Sequence, residues 1–287
     1  MDKIKEIRGA LLDVVERGTP TLSAFAAWVL DHLNDVAFQS IRGLAGMAGV
    51  NANTVTRLAR ELGYDGYDAF RHDVQTLLTA PPRYSERARA LNSKSGADIW
   101  SETLTANWSN VETLFTPEAR AMLESCVEPL LGARRVYSVG VRSCFSVAHY
   151  FSYVGAMAFD NFVPVPSMPG AILDQVSASG PEDIIVAITY EHYSSEVVRA
   201  CQVARETGAR ILALTDSYRS PIAKGAWKVI KLPMGGPQLM PSLTTAFITA
   251  ELLLTAMTAR SPASVAKVAR FEETITSHGG YFSNQAG

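Results

Sequence analysis

The sequence predicts an all-α helix-turn-helix N-terminal domain followed by an α/β domain in which helices flank a parallel sheet. Three observations carry this prediction. Between Phe38 and Arg71 two short amphipathic segments meet at a glycine-bearing turn, and the second keeps its polar side chains on one face. At Ala80-Pro81-Pro82 the helical pattern stops and a polar stretch follows. From Arg135 onward, short β-branched runs alternate with amphipathic stretches, the texture of a doubly wound sheet.

Bulk properties bound the reading. A chain of 287 residues, 47% hydrophobic and 19% charged, is long enough for two folded domains and is not of disordered composition. Its net charge of -2 argues against a protein coated in basic groups, yet leaves room for a small DNA-reading module. Cys126, Cys144 and Cys201 are scattered without C-x-x-C spacing, so neither a disulfide framework nor a structural zinc site is expected, and a reducing cytoplasm fits. The N-terminal MDKIKEIRGALLDVVERG alternates charge with apolar residues, unlike the continuous apolar run of a signal peptide. Thr244 to Ala259, the most apolar stretch, is too short to span a bilayer and contains Glu251. No membrane, metal or cofactor is expected.

The first domain is read over residues 1–80. Residues 3–17 look helical, with Ile4, Ile7, Leu11 and Val14/Val15 on one face; Thr19-Pro20 breaks the run, and a second helix carries Phe25, Val29 and Leu33. Ile41, Leu44, Ala45 and Ala48 recur at i, i+3, i+4, i+7 after a Ser40 N-cap, and Gly49 supplies the left-handed stop. Asn51 then caps a helix whose Val55, Leu58, Ala59 and Leu62 repeat that spacing, ending at Gly63. Its outward residues are Asn53, Thr54, Thr56, Arg57 and Arg60, the layout of a helix that enters a DNA major groove. Candidate DNA contacts are Arg42, Asn51, Asn53, Thr54, Thr56 and Arg57; the alternative for each is an ordinary solvated helix face. Acids slightly outnumber bases in this domain, so binding is expected to be salt-sensitive and to require at least a dimer. Tyr64, Tyr67 and Phe70 supply aromatic packing, and Phe70 opens a further helix to about Leu78.

Residues 81–97 are read as a linker and 98–287 as the second domain. Two helices, about 98–115 and 117–131, are assigned to that domain or its oligomer contacts. Strands are expected at 136–139, 162–166, 184–189, 211–215 and 229–232, with helices around 145–159, 171–177, 195–207 and 221–226 and a closing helix over 239–258. In such sheets ligands bind beyond the carboxyl ends of the strands, where chain order reverses. The loops after 136–139 and 184–189 end there with hydroxyls at helix starts: Ser143 and Ser146 in one, Ser194 and Ser195 in the other. Helix N-termini with free N–H groups suit an anion. Ser143 and Ser194 are read either as ligand contacts or as helix caps. Arg142 either clamps an anion, fills the cradle, or makes a salt bridge. Glu191 and His192 are either an acid/base pair or polar lining. Ser242 and Thr245 are candidates to approach the same crevice, and Cys144 is either a small filler or a thiol activated by the helix N-terminus.

Both halves resemble the RpiR family of bacterial transcriptional regulators, in which a helix-turn-helix domain precedes a SIS (sugar isomerase) domain. The resemblance lies in SIRGLAGMAGVNANTVTRLARELGYDGYDAF, and then in VYSVGVRSCFSVAHYF, EDIIVAITYEHYSSEVV and GARILALTDSYRSPIAKGA. It implies a flavodoxin-like SIS fold, a double-stranded DNA operator, a small phosphosugar or related anionic effector, and a homodimer or homotetramer. Two loops depart from the family pattern. Where G-x-G-x-S is usual, the chain has Gly140-Val141-Arg142-Ser143-Cys144; where S-x-S-G-x-T is usual, it has Thr189-Tyr190-Glu191-His192-Tyr193-Ser194. The effector candidates are therefore Gly140, Arg142, Ser143, Thr189, Glu191, His192, Ser194 and Ser242. Two alternatives stay open: a SIS-type phosphosugar isomerase or lyase with a helical interaction domain, and a binding module whose pocket no longer takes a ligand.

Overall fold

The computed structural model describes residues 3–79, 83–94, 96–166, 168 and 171–281, and divides into two compact units, Met1–Pro82 and Arg83–Gly287. The Ala80-Pro81-Pro82 stop lies outside the described residues.

The first unit contains α1 (Lys3–Arg17), α2 (Pro20–Asp31), α3 (Leu33–Phe38), α4 (Ile41–Met47), α5 (Ala52–Glu61) and α6 (Tyr67–Thr79). The second helix stops at Asp31 because His32 leaves helical backbone angles, and its ring Nδ1 sits 2.8 Å from the Trp28 carbonyl. Helix α3, which the sequence reading does not contain, starts from that break. Ser40 caps α4 through Gly43 N–H at 3.1 Å, and Asn51 caps α5 through Thr54 N–H at 2.8 Å; such caps contribute about 1 kcal/mol each. Gly49 and Gly63 take φ of 67° and 87°, where a side chain would be strained. Val55, Leu58 and Ala59 bury the inner face of α5 among Phe25, Val29, Val36 and Leu44. Tyr67 ties the layers by donating its hydroxyl to the carbonyls of Val36 and Gln39, each at 3.0 Å.

The second unit opens with α7 (Tyr84–Asn92), α8 (Gly96–Leu114) and α9 (Pro117–Gly132). It continues with β1 (Val136–Val139), α10 (Cys144–Ala158), β2 (Phe162–Val163), α11 (Ala171–Ser177), β3 (Ile184–Ile188) and α12 (Ser195–Glu206). It ends with β4 (Arg210–Thr215), β5 (Lys228–Lys231), α13 (Thr244–Arg260) and α14 (Pro262–Ser277). The sheet is wholly parallel in the order β2-β1-β3-β4-β5, a flavodoxin-like arrangement. Successive strand residues face opposite layers. Val136, Ile184, Val186, Leu212 and Leu214 pack under α9, α10 and α13, while Tyr137, Ile185, Ala187, Ile211 and Ala213 pack under α11 and α12. Burial on both faces explains why these strands read as continuous apolar runs. Helix α10 approaches β2 at Gly155, where a Cβ would stand 2.3 Å from the Phe162 ring. Cys126, Cys144 and Cys201 are free and buried.

Several sequence expectations are corrected. Residues 84–92 are not linker but α7, whose Glu86 carboxylate accepts the N–H of the preceding Arg83 at 3.0 Å. Strand β2 ends at Val163 because Pro164 and Pro166 cannot donate to a ladder. Residues 221–225 form turns rather than a helix, closed by Gly225 at φ 69°. The closing helix begins at Thr244 rather than Leu239, and α14, unforeseen, follows it after Ser261.

At the amino ends of the central strands Arg134 grips the fully buried Asp183 with two bonds, of 3.0 and 2.5 Å, and Gly180 N–H adds a third at 2.8 Å. Burial pushes the Asp183 carboxyl up, but Arg134 and the backbone N–H donors outweigh it and hold the group below its ordinary value. A depressed pKa gives stability that is present above the unfolded value near 3.9 and lost as pH falls through the folded one. Asp183→Asn should therefore lower stability by about 2–4 kcal/mol at neutral pH. In denaturation curves the gap between wild type and variant should narrow as pH falls below about 4.

Candidate functional site

The first candidate surface is α5. Its capping geometry sorts the predicted contacts into two groups. Asn51 Oδ1 accepts both the Thr54 N–H, at 2.8 Å, and the Thr54 hydroxyl, at 3.0 Å, so these two side chains fix the helix start. Thr56 turns its hydroxyl back to the Ala52 carbonyl at 3.2 Å. Asn53, Arg57 and Arg60, by contrast, are exposed and fall at i, i+4, i+7, one solvent-facing row. Arg42 is exposed on α4. Arg60, outside the six candidate contacts, completes the row through its i+7 spacing from Asn53.

The second candidate site is the meeting of the β1 and β3 loops. Gly140 must be glycine, since a Cβ would stand 2.6 Å from the Cys144 carbonyl oxygen. Arg142 and His192 both adopt positive φ, 52° and 64°, one in each loop. These turns bring the loops together. The Ser143 hydroxyl bonds to the Tyr190 hydroxyl, and Arg142 Nη1 reaches Ser194 Oγ at 3.4 Å and Glu196 at 3.3 Å. Ser194 N–H donates to the buried Thr189 hydroxyl at 3.1 Å. Neither Ser143 nor Ser194 caps its helix with its side chain. Ser194 instead donates its hydroxyl to Glu196 at 2.6 Å. That hydroxyl, the Glu196 backbone N–H and Arg142 hold the Glu196 carboxylate down at about 2. A carboxylate of the chain itself thus lies among the donors at the start of α12.

Glu191 is likewise neutralised from within. Its carboxylate pairs with Arg87 of α7 at 2.6 Å, and its N–H donates to Asp216 at 3.2 Å. Arg87 also donates to the carbonyls of Gly236 and Gln238, each at 3.3 Å, in the segment before α13. Tyr84, one helical turn earlier, packs edge-on against His192 with ring centroids 5.1 Å apart. Helix α7 is therefore clasped to two loops at the carboxyl edge of the sheet. Beside the clasp lies a cavity of about 490 Å³ lined by Arg87, Glu191, Asp216, Tyr218, Lys231 and Thr116.

The structure brings together Gly140, Arg142, Ser143, Thr189, Glu191, His192 and Ser194. The Ser242 hydroxyl donates to Asn107 of α8 at 2.5 Å and accepts the Thr244 N–H at 3.2 Å. Thr245 donates to the Pro233 carbonyl at 2.7 Å. Burial pushes the Cys144 thiol up to about 12, the opposite of activation by a helix N-terminus. Arg87, Tyr190, Glu196 and Asp216 were missed. Arg87 fell in a stretch read as linker, and Glu196 carried no signal beyond its place one residue inside a helix. Among the described residues no cluster of three or more His, Cys, Asp or Glu could hold a metal, and no helix is long and apolar enough to cross a membrane.

Comparison with known proteins agrees with this division. Residues 19–81 match the helix-turn-helix domain of the rpiR family, and residues 130–256 match the SIS domain. An uncharacterised HTH-type transcriptional regulator of Clostridium perfringens is 22% identical over 72% of this chain and 75% of its own length. The Escherichia coli HTH-type regulator YfhH is 28% identical over 61% of this chain and 63% of its own. A bifunctional protein glk of Burkholderia orbicola is 29% identical over 78% of this chain, which spans 34% of that longer protein. In structure, Vibrio vulnificus NanR superposes with a TM-score of 0.58 at 19% identity, covering 96% of this chain and all (100%) of that one. The sugar isomerase domain of an RpiR transcription factor from Sphaerobacter thermophilus gives 0.54 at 22% identity, covering 62% of this chain and 97% of that one. With both domains matched, in this order, the chain has the architecture of an rpiR-family helix-turn-helix domain followed by a SIS domain.

Proposed function

We propose that this protein is a transcriptional regulator that reads DNA with α5 and binds a small phosphosugar-class metabolite in the β1 and β3 loops. The observation that carries the reading is the exposed row Asn53, Arg57, Arg60 on a helix whose start is already satisfied by Asn51 and Thr54. Asn and Arg are side chains suited to bidentate contacts with base edges, and a capped helix holds them in fixed register. Arg42 adds a cation for a backbone phosphate. The surface is sparingly basic, so useful affinity calls for paired copies, a homodimer or homotetramer that sets two α5 helices about 34 Å apart.

On the input side, the donors that hold Glu196 are those an anion needs: Arg142, the Ser194 hydroxyl and the first turn of α12. A phosphate carries more charge and more acceptor oxygens than a carboxylate, and displaces Glu196. Arg87 pairs with Glu191, so this second carboxylate of the loops does not oppose such a ligand with a bare charge. The NanR neighbour was solved in complex with ManNAc-6P, which supports the same ligand class here. Catalysis is not the favoured use of the site: Glu191 is engaged by Arg87, and the Cys144 thiol stays protonated. A ligand that moves these loops changes operator affinity only by its difference in affinity for two arrangements of the protein.

Two measurements check the reading. Asn53→Ala with Arg57→Ala should weaken binding to DNA from the protein's own promoter by about 100-fold or more while leaving the melting temperature unchanged. Equal affinity would remove α5 as the reading element. For the input, thermal shift against hexosamine 6-phosphates, ManNAc-6P included, should show stabilisation that Arg142→Ala abolishes and Glu196→Gln enhances. No shift with any of them, in wild type or Glu196→Gln, would leave the site without a phosphosugar role.

A further inference from the structure

We propose that the α/β unit carries its own surface for the phosphate backbone of duplex DNA, built from Arg205, Arg210, Lys224 and Lys228 around Trp227. The inference rests on the DNA-binding reading for its partner, while the surface itself owes nothing to α5. Charge is unevenly spread along the chain. Residues 199–231 hold seven Lys and Arg against two acids, Glu206 and Asp216, in a chain of net charge -2. The first unit, where acids slightly outnumber bases, has no such excess.

Four of these cations gather at the amino ends of β4 and β5. Arg210 opens β4 and Lys228 opens β5, and their charged groups lie 5.3 and 5.6 Å from the centre of the Trp227 ring. Arg205, in the last turn of α12, donates to the carbonyls of Pro221 and Ile222 at 3.4 and 3.5 Å. It therefore lies along the turn that presents the exposed Lys224. Among the described residues none of the four pairs with a carboxylate. The acids nearest along the chain are Glu206 and, just before β3, Glu182, both exposed. Like charges held side by side repel one another, and here no ion pair within the unit offsets the cost.

The geometry suits phosphate. The Trp227 ring steadies Arg210 and Lys228, and two carbonyls steady Arg205, so less freedom is lost when an anion arrives. Arg210 makes no side-chain hydrogen bond among the described residues and its Nε is shut off from water, so the outer fork of the guanidinium meets the acceptor oxygens. The cations are spread over two strands and a turn, and the cavity beside the α7 clasp is lined by none of them. Such a surface fits a succession of phosphates better than one small anion. Duplex DNA supplies that succession, and it is the polyanion that the proposed function brings to this chain. The patch lies at the opposite end of the strands from the β1 and β3 loops, so a metabolite there does not compete for it.

The test is equilibrium binding of the full chain to its own promoter duplex and to an unrelated duplex of equal length, from about 50 to 200 mM salt. Lys224→Gln with Lys228→Gln should weaken binding to both by about 10-fold and flatten the slope of log K against log salt by roughly 1.8, two phosphate contacts. Preference for the promoter should not change. An unchanged slope would overturn the proposal. Loss of poly-glutamate binding with the DNA slope intact would assign the patch to an acidic protein segment, and overturns it too. Lysine footprinting of the wild type needs no variant: duplex should slow acetylation of Lys224 and Lys228 severalfold, and equal rates would sink the idea. Failure of the α5 reading shows in a different quantity, because Asn53→Ala with Arg57→Ala would then leave promoter preference intact whatever the slope does.

Discussion

Strands β1 and β3 lie side by side in parallel register, Val136 opposite Ile184 through Val139 opposite Ala187, although α10, β2 and α11 intervene in the chain. One end of this pairing is locked by Arg134 on Asp183, and the other releases two loops into the same crevice. All the loop chemistry depends on that adjacency. A slip of one residue would send every apolar side chain of these strands to the wrong layer. It would also part Ser143 from Tyr190 and Arg142 from Ser194. The deep burial of both strands is thus what gives the loops their precision.

The loops themselves are electrostatically closed. Glu196 stands among the anion donors and Arg87 stands on Glu191, so both of these carboxylates already have a protein counter-charge. This keeps the loops ordered without a ligand. On the proposed reading, binding exchanges partners rather than filling bare charges, and an exchange can be selective without being very tight. Helix α7 takes part because Arg87 bonds to both bordering segments.

Local patterns survived the passage from sequence to structure, and long-range ones did not. The four-residue spacings, the caps at Ser40 and Asn51 and the glycine stops at Gly49 and Gly63 are written in neighbouring residues, and they appear as read. The strand runs were legible for the same reason, except at β2, where Pro164 and Pro166 were allowed too much strand. Helix α7 was not legible because Arg87 meets its partners, Glu191, Gly236 and Gln238, only in the folded chain. Its polar composition looks like a linker when those partners are unseen. The bond from the Ser242 hydroxyl to Asn107 is likewise made between residues far apart in the chain. That Thr54 joins the Asn51 cap and Thr56 turns back to the Ala52 carbonyl, while Asn53 faces solvent, also needed three dimensions.

The three cysteines have a practical consequence. Cys126, Cys144 and Cys201 all lie in the core, and burial holds their thiols well above the usual range. Thiol reagents act on the exposed thiolate, so the folded chain behaves as a nearly unreactive background. One cysteine introduced at a surface position would then carry a spin label or fluorophore at a known place with the natural core intact. Distances between such labels would report directly how the two compact units are disposed, with and without a bound metabolite.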